Sequence, residues 1–211
     1  MSHIRILMPS ERDLLQAHLL RLDAQSRRDR FSGYLNDAAV ERYCESINWL
    51  EGLLFGWFDE GELRAAVQLV SLGFGWPSEA ELAVTVETDW QNRGIGTALC
   101  RHALLAAQNR SISCVKMICL QENARMQRIV RKLRGQLLYI DGSSEGALWV
   151  PPPTYLSLWQ EAFGEGGALM DTLVEQWRPT PHDEPRRKRA AGARRGPRAK
   201  RSKAGAQFQA A

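Results

Sequence analysis

Apolar residues cluster over residues 4–8 (IRILM), which predicts a short opening strand. Pro9-Ser10-Glu11 then opens an amphipathic helix carrying Leu14, Leu15, His18, Leu19 and Leu22 along one side. A polar stretch, DAQSRRDRFSG, follows. Asn36-Asp37 can cap a second helix in which Val40, Tyr43, Cys44 and Ile47 recur at helical spacing. Two apolar runs, 53–58 and 63–72, flank Asp59-Glu60-Gly61-Glu62, a turn chemistry that makes them an antiparallel hairpin. ELAVTV (81–86) predicts the next strand, and the second half of the segment after it is helical. CVKMICL (114–120) predicts another strand, and residues 123–134 a helix with Met126, Ile129, Val130 and Leu133 inward. Strands at 136–140 and 147–150 close the pattern before Pro151-Pro152-Pro153.

The resulting order, β-α-α-β-β-β-α-β-α-β-β, is α/β with a mixed sheet. The early hairpin is antiparallel, and the crossover through residues 81–120 sets two strands parallel. This accounts for residues 1–150 as one domain. Residues 151–178 form a helical extension with Leu156, Trp159, Phe163, Leu169, Leu173 and Trp177 as its apolar side. From 179 to 211 the composition shifts to Arg, Lys, Ala, Gly and Pro, which predicts a disordered tail.

Charge divides the same way. The net charge is +4, but residues 182–211 hold ten Lys or Arg against Asp183 and Glu184, so the body itself is acidic. No apolar run approaches the roughly 20 residues of a membrane span, and the first residues show no export signal, so a cytoplasmic chain without membrane contact is expected. Cys44, Cys100, Cys114 and Cys119 are scattered without metal-ligand spacing and read as buried thiols; no metal site is expected.

The chemistry concentrates in Gln91-Asn92-Arg93-Gly94-Ile95-Gly96-Thr97-Ala98, between a strand and a helix. Two glycines stand in the first turn, and no Asp or Glu lies between Gly94 and Gln121 to complement the positive helix end. A phosphate would supply that charge, held by backbone N–H groups of residues 93–98 and by Arg93. A tight strand-to-helix turn is the plainer alternative. A dinucleotide fingerprint fails on placement, because the loop follows four strands and lacks the acidic residue about 20 positions on. A Walker A loop is excluded, since no Gly-Lys-Ser/Thr follows.

Gln91-x-x-Gly94-x-Gly96 after a hydrophobic strand, with Asn123 opening the next helix, resembles the pyrophosphate loop of the GNAT superfamily of N-acetyltransferases. Glu81-Leu82-Ala83-Val84, Trp90-Gln91, Asn123-x-x-Met126 and Ser26-Arg27-x-x-Arg30-Phe31 are similar, more narrowly, to the acetyltransferase domains of bacterial Pat-type protein lysine acetyltransferases. The resemblance covers about residues 4–150. It implies a mixed sheet of six to seven strands flanked by about four helices, with acetyl-coenzyme A as co-substrate. The cofactor's pyrophosphate would lie on Arg93, Gly94, Ile95, Gly96, Thr97 and Ala98, beside Gln91. Its pantetheine arm would lie along Val84 and Val86, with Asn123 hydrogen-bonding the arm. Asn123 fits equally as an N-cap.

The same resemblance implies acetyl transfer to a primary amine, a protein lysine being favoured, with Glu81 as general base ahead of Glu87 and Glu79. A backbone N–H near Val84 would hold the thioester oxyanion. Many relatives carry a tyrosine where this chain has Val130, and K-x-G-F where it reads KLRGQL, so the general acid is unassigned. The alternatives are a non-catalytic acetyl-coenzyme A sensor or interaction protein, and a small-molecule amine or polyamine acetyltransferase. The tail suits weak, non-specific contact with nucleic acid or acidic protein. Monomer and homodimer are both open.

Overall fold

Strands β2 (Gly52–Asp59), β3 (Glu62–Ser71) and β4 (Glu79–Val86) alternate buried with half-buried positions, as strands covered on both faces do. In this computed structural model they join β1 (His3–Ile6), β5 (Cys114–Leu120), β6 (Gln136–Ile140) and β7 (Ser143–Trp149) in one sheet of order β1-β2-β3-β4-β5-β7-β6. The structure describes residues 2–72, 78–140 and 143–163, all within the unit Met1–Gly167. The expected tail, 179–211, and the part of the expected extension that carries Leu169, Leu173 and Trp177 lie outside the described residues.

Six α-helices stand among the described residues: α1 (Arg12–Arg21), α2 (Ala24–Phe31), α3 (Asp37–Ser46), α4 (Ile95–Asn109), α5 (Ala124–Lys132) and α6 (Tyr155–Phe163). One core lies between the sheet and α4 and α5, with Leu82, Leu99, Val115, Met117 and Val130 at its centre. A second lies under α1 and α3, where Leu15, Leu19, Val40 and Cys44 meet Leu54 and Phe58.

The fold is the expected mixed sheet, at its upper limit of seven strands, with more helices than the polar–apolar pattern predicts. The addition is α2, cut from the polar stretch. Asp23 caps it by accepting from the Ser26 N–H at 2.6 Å, and Ser32 ends it at φ 54°. The last strand begins at Ser143 rather than at 147. In α6 the buried residue is Ser157, whose hydroxyl donates to the Asn109 side chain at 2.6 Å, while Leu156, Trp159 and Phe163 are exposed.

The distorted sequence KLRGQL has a geometric cause. Arg134 ends α5 in the left-handed region, at φ 59°, a position that favours glycine. Gly135 follows because a Cβ there would stand 2.7 Å from both Val130 Cγ1 and Leu148 Cδ2. The glycine is held by packing, and the arginine takes the strained angle.

One feature of the sheet positions the site. β4 and β5 are parallel, joined through α4, yet they pair at only three positions: Glu79↔Cys114, Ala80↔Val115 and Glu81↔Lys116. Beyond Glu81, β4 runs on to Val86 and β5 to Leu120 unpaired with each other. The strands part there.

Candidate active site

The cleft opens where β4 leaves β5, and it encloses about 240 Å³. Of the residues predicted to hold a cofactor, Val84, Val86, Gln91, Gly94, Ile95, Gly96, Thr97 and Asn123 line it. Arg93 is exposed, its guanidinium 4.8 Å from the Trp90 ring centroid, and neither Arg93 nor Ala98 is among the lining residues.

At one end stands the start of α4. Gly94 occupies the N-cap with φ +84° and no side-chain cap, and the first turn contains no acidic residue. The Ala98 N–H bonds the Gly94 carbonyl at 3.0 Å, so the N–H groups of Ile95, Gly96 and Thr97 have no intrahelical acceptor. A Cβ on Gly96 would sit 3.2 Å from Ile129, which explains the second glycine as a packing requirement between α4 and α5. Gln91 fixes the loop, its amide donating to the Val86 carbonyl at 2.9 Å and to Ser26 Oγ at 3.1 Å, while Arg125 donates to its side-chain oxygen. Arg125, Arg128 and Lys132 add positive charge along the rim.

Asn123 caps α5, accepting from the Met126 N–H at 3.0 Å. Its amide nitrogen has no partner among the described residues, and Asn123 lines the cleft. Both sequence readings of Asn123 fit that geometry.

The three candidate glutamates separate. Glu87 is buried and accepts from His18 Nδ1 at 3.1 Å, Arg21 Nε at 2.9 Å and Arg64 Nη1 at 3.2 Å. Burial alone would push its carboxyl up, but the bonds from His18 and Arg21 outweigh it and hold the group below the ordinary range. With Glu87 ionised, His18 carries its proton on Nδ1 and its Nε2 accepts from the Thr85 hydroxyl at 2.8 Å. Glu87 therefore braces the end of β4 and does not line the cleft. Glu79 pairs with Lys116 at 2.9 Å. Glu81, like Glu79 and Glu87, is not among the residues that line the cleft; it stands on the last rung before the strands part, half-buried and without an ion pair or hydrogen bond to its carboxylate among the described residues.

Sequence reasoning missed the wall that α2 contributes, Ser26, Asp29 and Arg30, together with Thr85. Arg30 Nη2 donates to Tyr43 Oη at 2.6 Å and to Gln68 Oε1 at 2.9 Å. The thiols take no part: burial pushes Cys100 up to about 12 and Cys44 up to about 11. Among the described residues no group of three His, Cys, Asp or Glu is placed to hold a metal ion, and no helix is long and apolar enough to cross a membrane.

An anion cradle of main-chain donors at one end, and an unpaired parallel strand edge leading from it to a carboxylate, define a site for an extended phosphate-bearing acyl carrier. The sequence profile of the acetyltransferase (GNAT) family matches residues 20–135, and the chain belongs to that family of acetyl-coenzyme A-dependent N-acetyltransferases. Among solved structures it is similar to the GNAT domain of PAT from S. lividans, with 21% identity and TM-score 0.61 over 71% of this chain and 90% of that one. It is also similar to the ribosomal-protein-S18-alanine N-acetyltransferase from Escherichia coli, with 18% identity and TM-score 0.55 over 74% and 97%. PaiA N-acetyltransferase from Thermoplasma acidophilum, solved in complex with coenzyme A, matches at 16% identity and TM-score 0.55 over 71% and 99%. No curated protein sequence matches the chain.

The residues present fit acetyl-coenzyme A. The open space around Gly94 lets a diphosphate approach the backbone, and the β4 edge beyond Glu81 leaves main-chain groups for an amide-bearing arm.

Proposed function

We propose that this chain acetylates a primary amine, with a protein lysine as the favoured acceptor, by direct transfer with Glu81 as general base. The observation that carries the reading is the position of Glu81, on the last β4–β5 rung and with its carboxylate unengaged. Acetyl-coenzyme A supplies an activated acyl thioester. The N–H groups of Ile95, Gly96 and Thr97 and the side chain of Asn123 would hold the donor, while the β4 edge at Val84 and Val86 would orient it and offer a main-chain donor to the thioester oxygen. A lysine-like amine near pKa 10.4 is about three units from neutral at cellular pH, so the attacking neutral form costs roughly 4 kcal/mol; Glu81 then accepts the proton that the nitrogen sheds as the new C–N bond forms and the C–S bond breaks, coenzyme A leaving as its thiolate.

Val130 supports a second reading. That side chain is fully buried, with Gly135 and Gly146 packed against it, and contributes no proton donor to the cleft. A non-catalytic acetyl-coenzyme A sensor needs none.

Thiol release from acetyl-coenzyme A, measured over lysine peptides, polyamines and aminoglycosides, separates the two. Turnover on lysine peptides that falls roughly 100-fold or more in Glu81→Gln, with coenzyme A affinity retained, supports the enzyme and its base. Turnover confined to polyamines or aminoglycosides replaces the acceptor. Binding without turnover on any acceptor favours the sensor.

A further inference from the structure

We infer that Arg30 forms a carboxylate subsite at the thioester end of the cleft, so that the preferred substrate pair carries an anionic carboxylate close to the reacting centre. This rests on the acyltransferase reading above and specifies its substrate class.

The position follows from strand register. Gln68, which accepts from Arg30, pairs with Ala83 across β3 and β4, and Ala83 lies two residues beyond Glu81. Residues two apart on a strand share a face about 7 Å apart, so the guanidinium stands over the face that carries Glu81. The cradle at Gly94–Thr97 is at the other end of the same cleft.

The chemistry follows from bonding. Both bonds of Arg30 come from Nη2, to the neutral acceptors Tyr43 and Gln68, and its plane is further fixed by the rings of Phe31 and Tyr43, 5.0 and 5.3 Å from Cζ. Nη1 and Nε have no partner among the described residues. Among the described residues no carboxylate lies within ion-pairing distance of it. Its neighbour Asp29 pairs with Arg125, Glu79 with Lys116, and Glu81 with neither. A half-buried guanidinium held rigid by neutral groups, with one edge of its fork unbonded and on a residue that lines the cleft, is built for a planar anion. A carboxylate on the acyl chain and one beside the acceptor amine would both reach it.

Paired substrates test this in the full chain. The donor pair is succinyl- and acetyl-coenzyme A. The acceptor pair is a lysine peptide with aspartate next to the lysine and the same peptide with asparagine. Rates and calorimetric affinities are read as ratios, the peptides being titrated in the presence of coenzyme A. The subsite predicts a ratio of about tenfold or more in favour of the acid in one arm, and the arm that shows it names the source. Arg30→Gln brings that ratio to about one, and Tyr43→Phe, which keeps the guanidinium but loosens it, leaves an intermediate value. Ratios near one in both arms overturn the subsite. So does an equal loss on both members of each pair in Arg30→Gln, which assigns the arginine to the thioester itself. If no acceptor is turned over, the affinity ratios still decide the subsite, while the absent turnover counts against the acyltransferase reading alone.

Discussion

Arg134 and Gly135 give the sharpest expectation at the scale of single residues, because the two substitutions have opposite signs. Arg134→Gly removes a left-handed angle from a side chain that makes no use of it, and is expected to raise stability by about 0.5–1 kcal/mol. Gly135→Ala drives a methyl group against Val130, Leu148 and the Ala147 carbonyl, and is expected to lower stability by about 1–3 kcal/mol. Urea denaturation of both variants measures the pair, and a stabilised Gly135→Ala would contradict the packing. The glutamates also divide at this scale. Glu81→Gln is expected to act on rate, whereas Glu87→Gln is expected to weaken the braces to His18, Arg21 and Arg64 and to lower the melting temperature.

Helix α4 poses a conflict between stability and binding that one substitution exposes. Its first turn lacks the acidic residue a helix start favours. Thr97→Asp is expected to stabilise the unliganded protein by roughly 0.3–1 kcal/mol through the helix dipole, and to weaken coenzyme A binding by at least about tenfold through charge repulsion. Thermal melts with and without coenzyme A read both effects; a parallel shift in the two would remove the phosphate from this helix. The loop, its glycines and Asn123 are visible in the sequence because each is a local signal, a left-handed turn or a cap read from a few consecutive residues. Helix α2 is not. Ser26 is its one buried residue, so hydrophobic periodicity has nothing to register, and only the Asp23 cap hints at it. Arg30 stands in a motif that carries the family resemblance, but its place in the cleft is not legible, because its partners Tyr43 and Gln68 are distant in sequence and meet only through sheet register. Glu81 and Glu87 show the same limit: alternation places them on one face, while the bonds that distinguish them come from α1 and β3.

For the whole molecule, the buried His18 links stability to pH. Burial lowers its pKa, although the bond to Glu87 works the other way, so the fold favours the neutral ring. A group depressed in this way contributes stability that is complete above the unfolded value of about 6.5 and is lost as pH falls below it. Glu87, also depressed, acts in the same direction at lower pH, below about 4.5. The melting temperature is therefore expected to fall between about pH 7.5 and pH 5.5, and His18→Gln, less stable throughout, to show a flatter profile over that interval. A profile in the variant as steep as in the parent would move the linkage elsewhere. The three rungs between β4 and β5 have a different consequence at this scale. Among the described residues they are, with the adjoining bond from the Ser113 N–H to the Ser78 carbonyl, the main-chain bonding between a half-sheet of β1 to β4 and a half-sheet of β5, β7 and β6. A ligand lying along the free edges acts as a rivet between the halves, and amide deuterium exchange at residues 82–86 and 117–120 should slow together when coenzyme A is added.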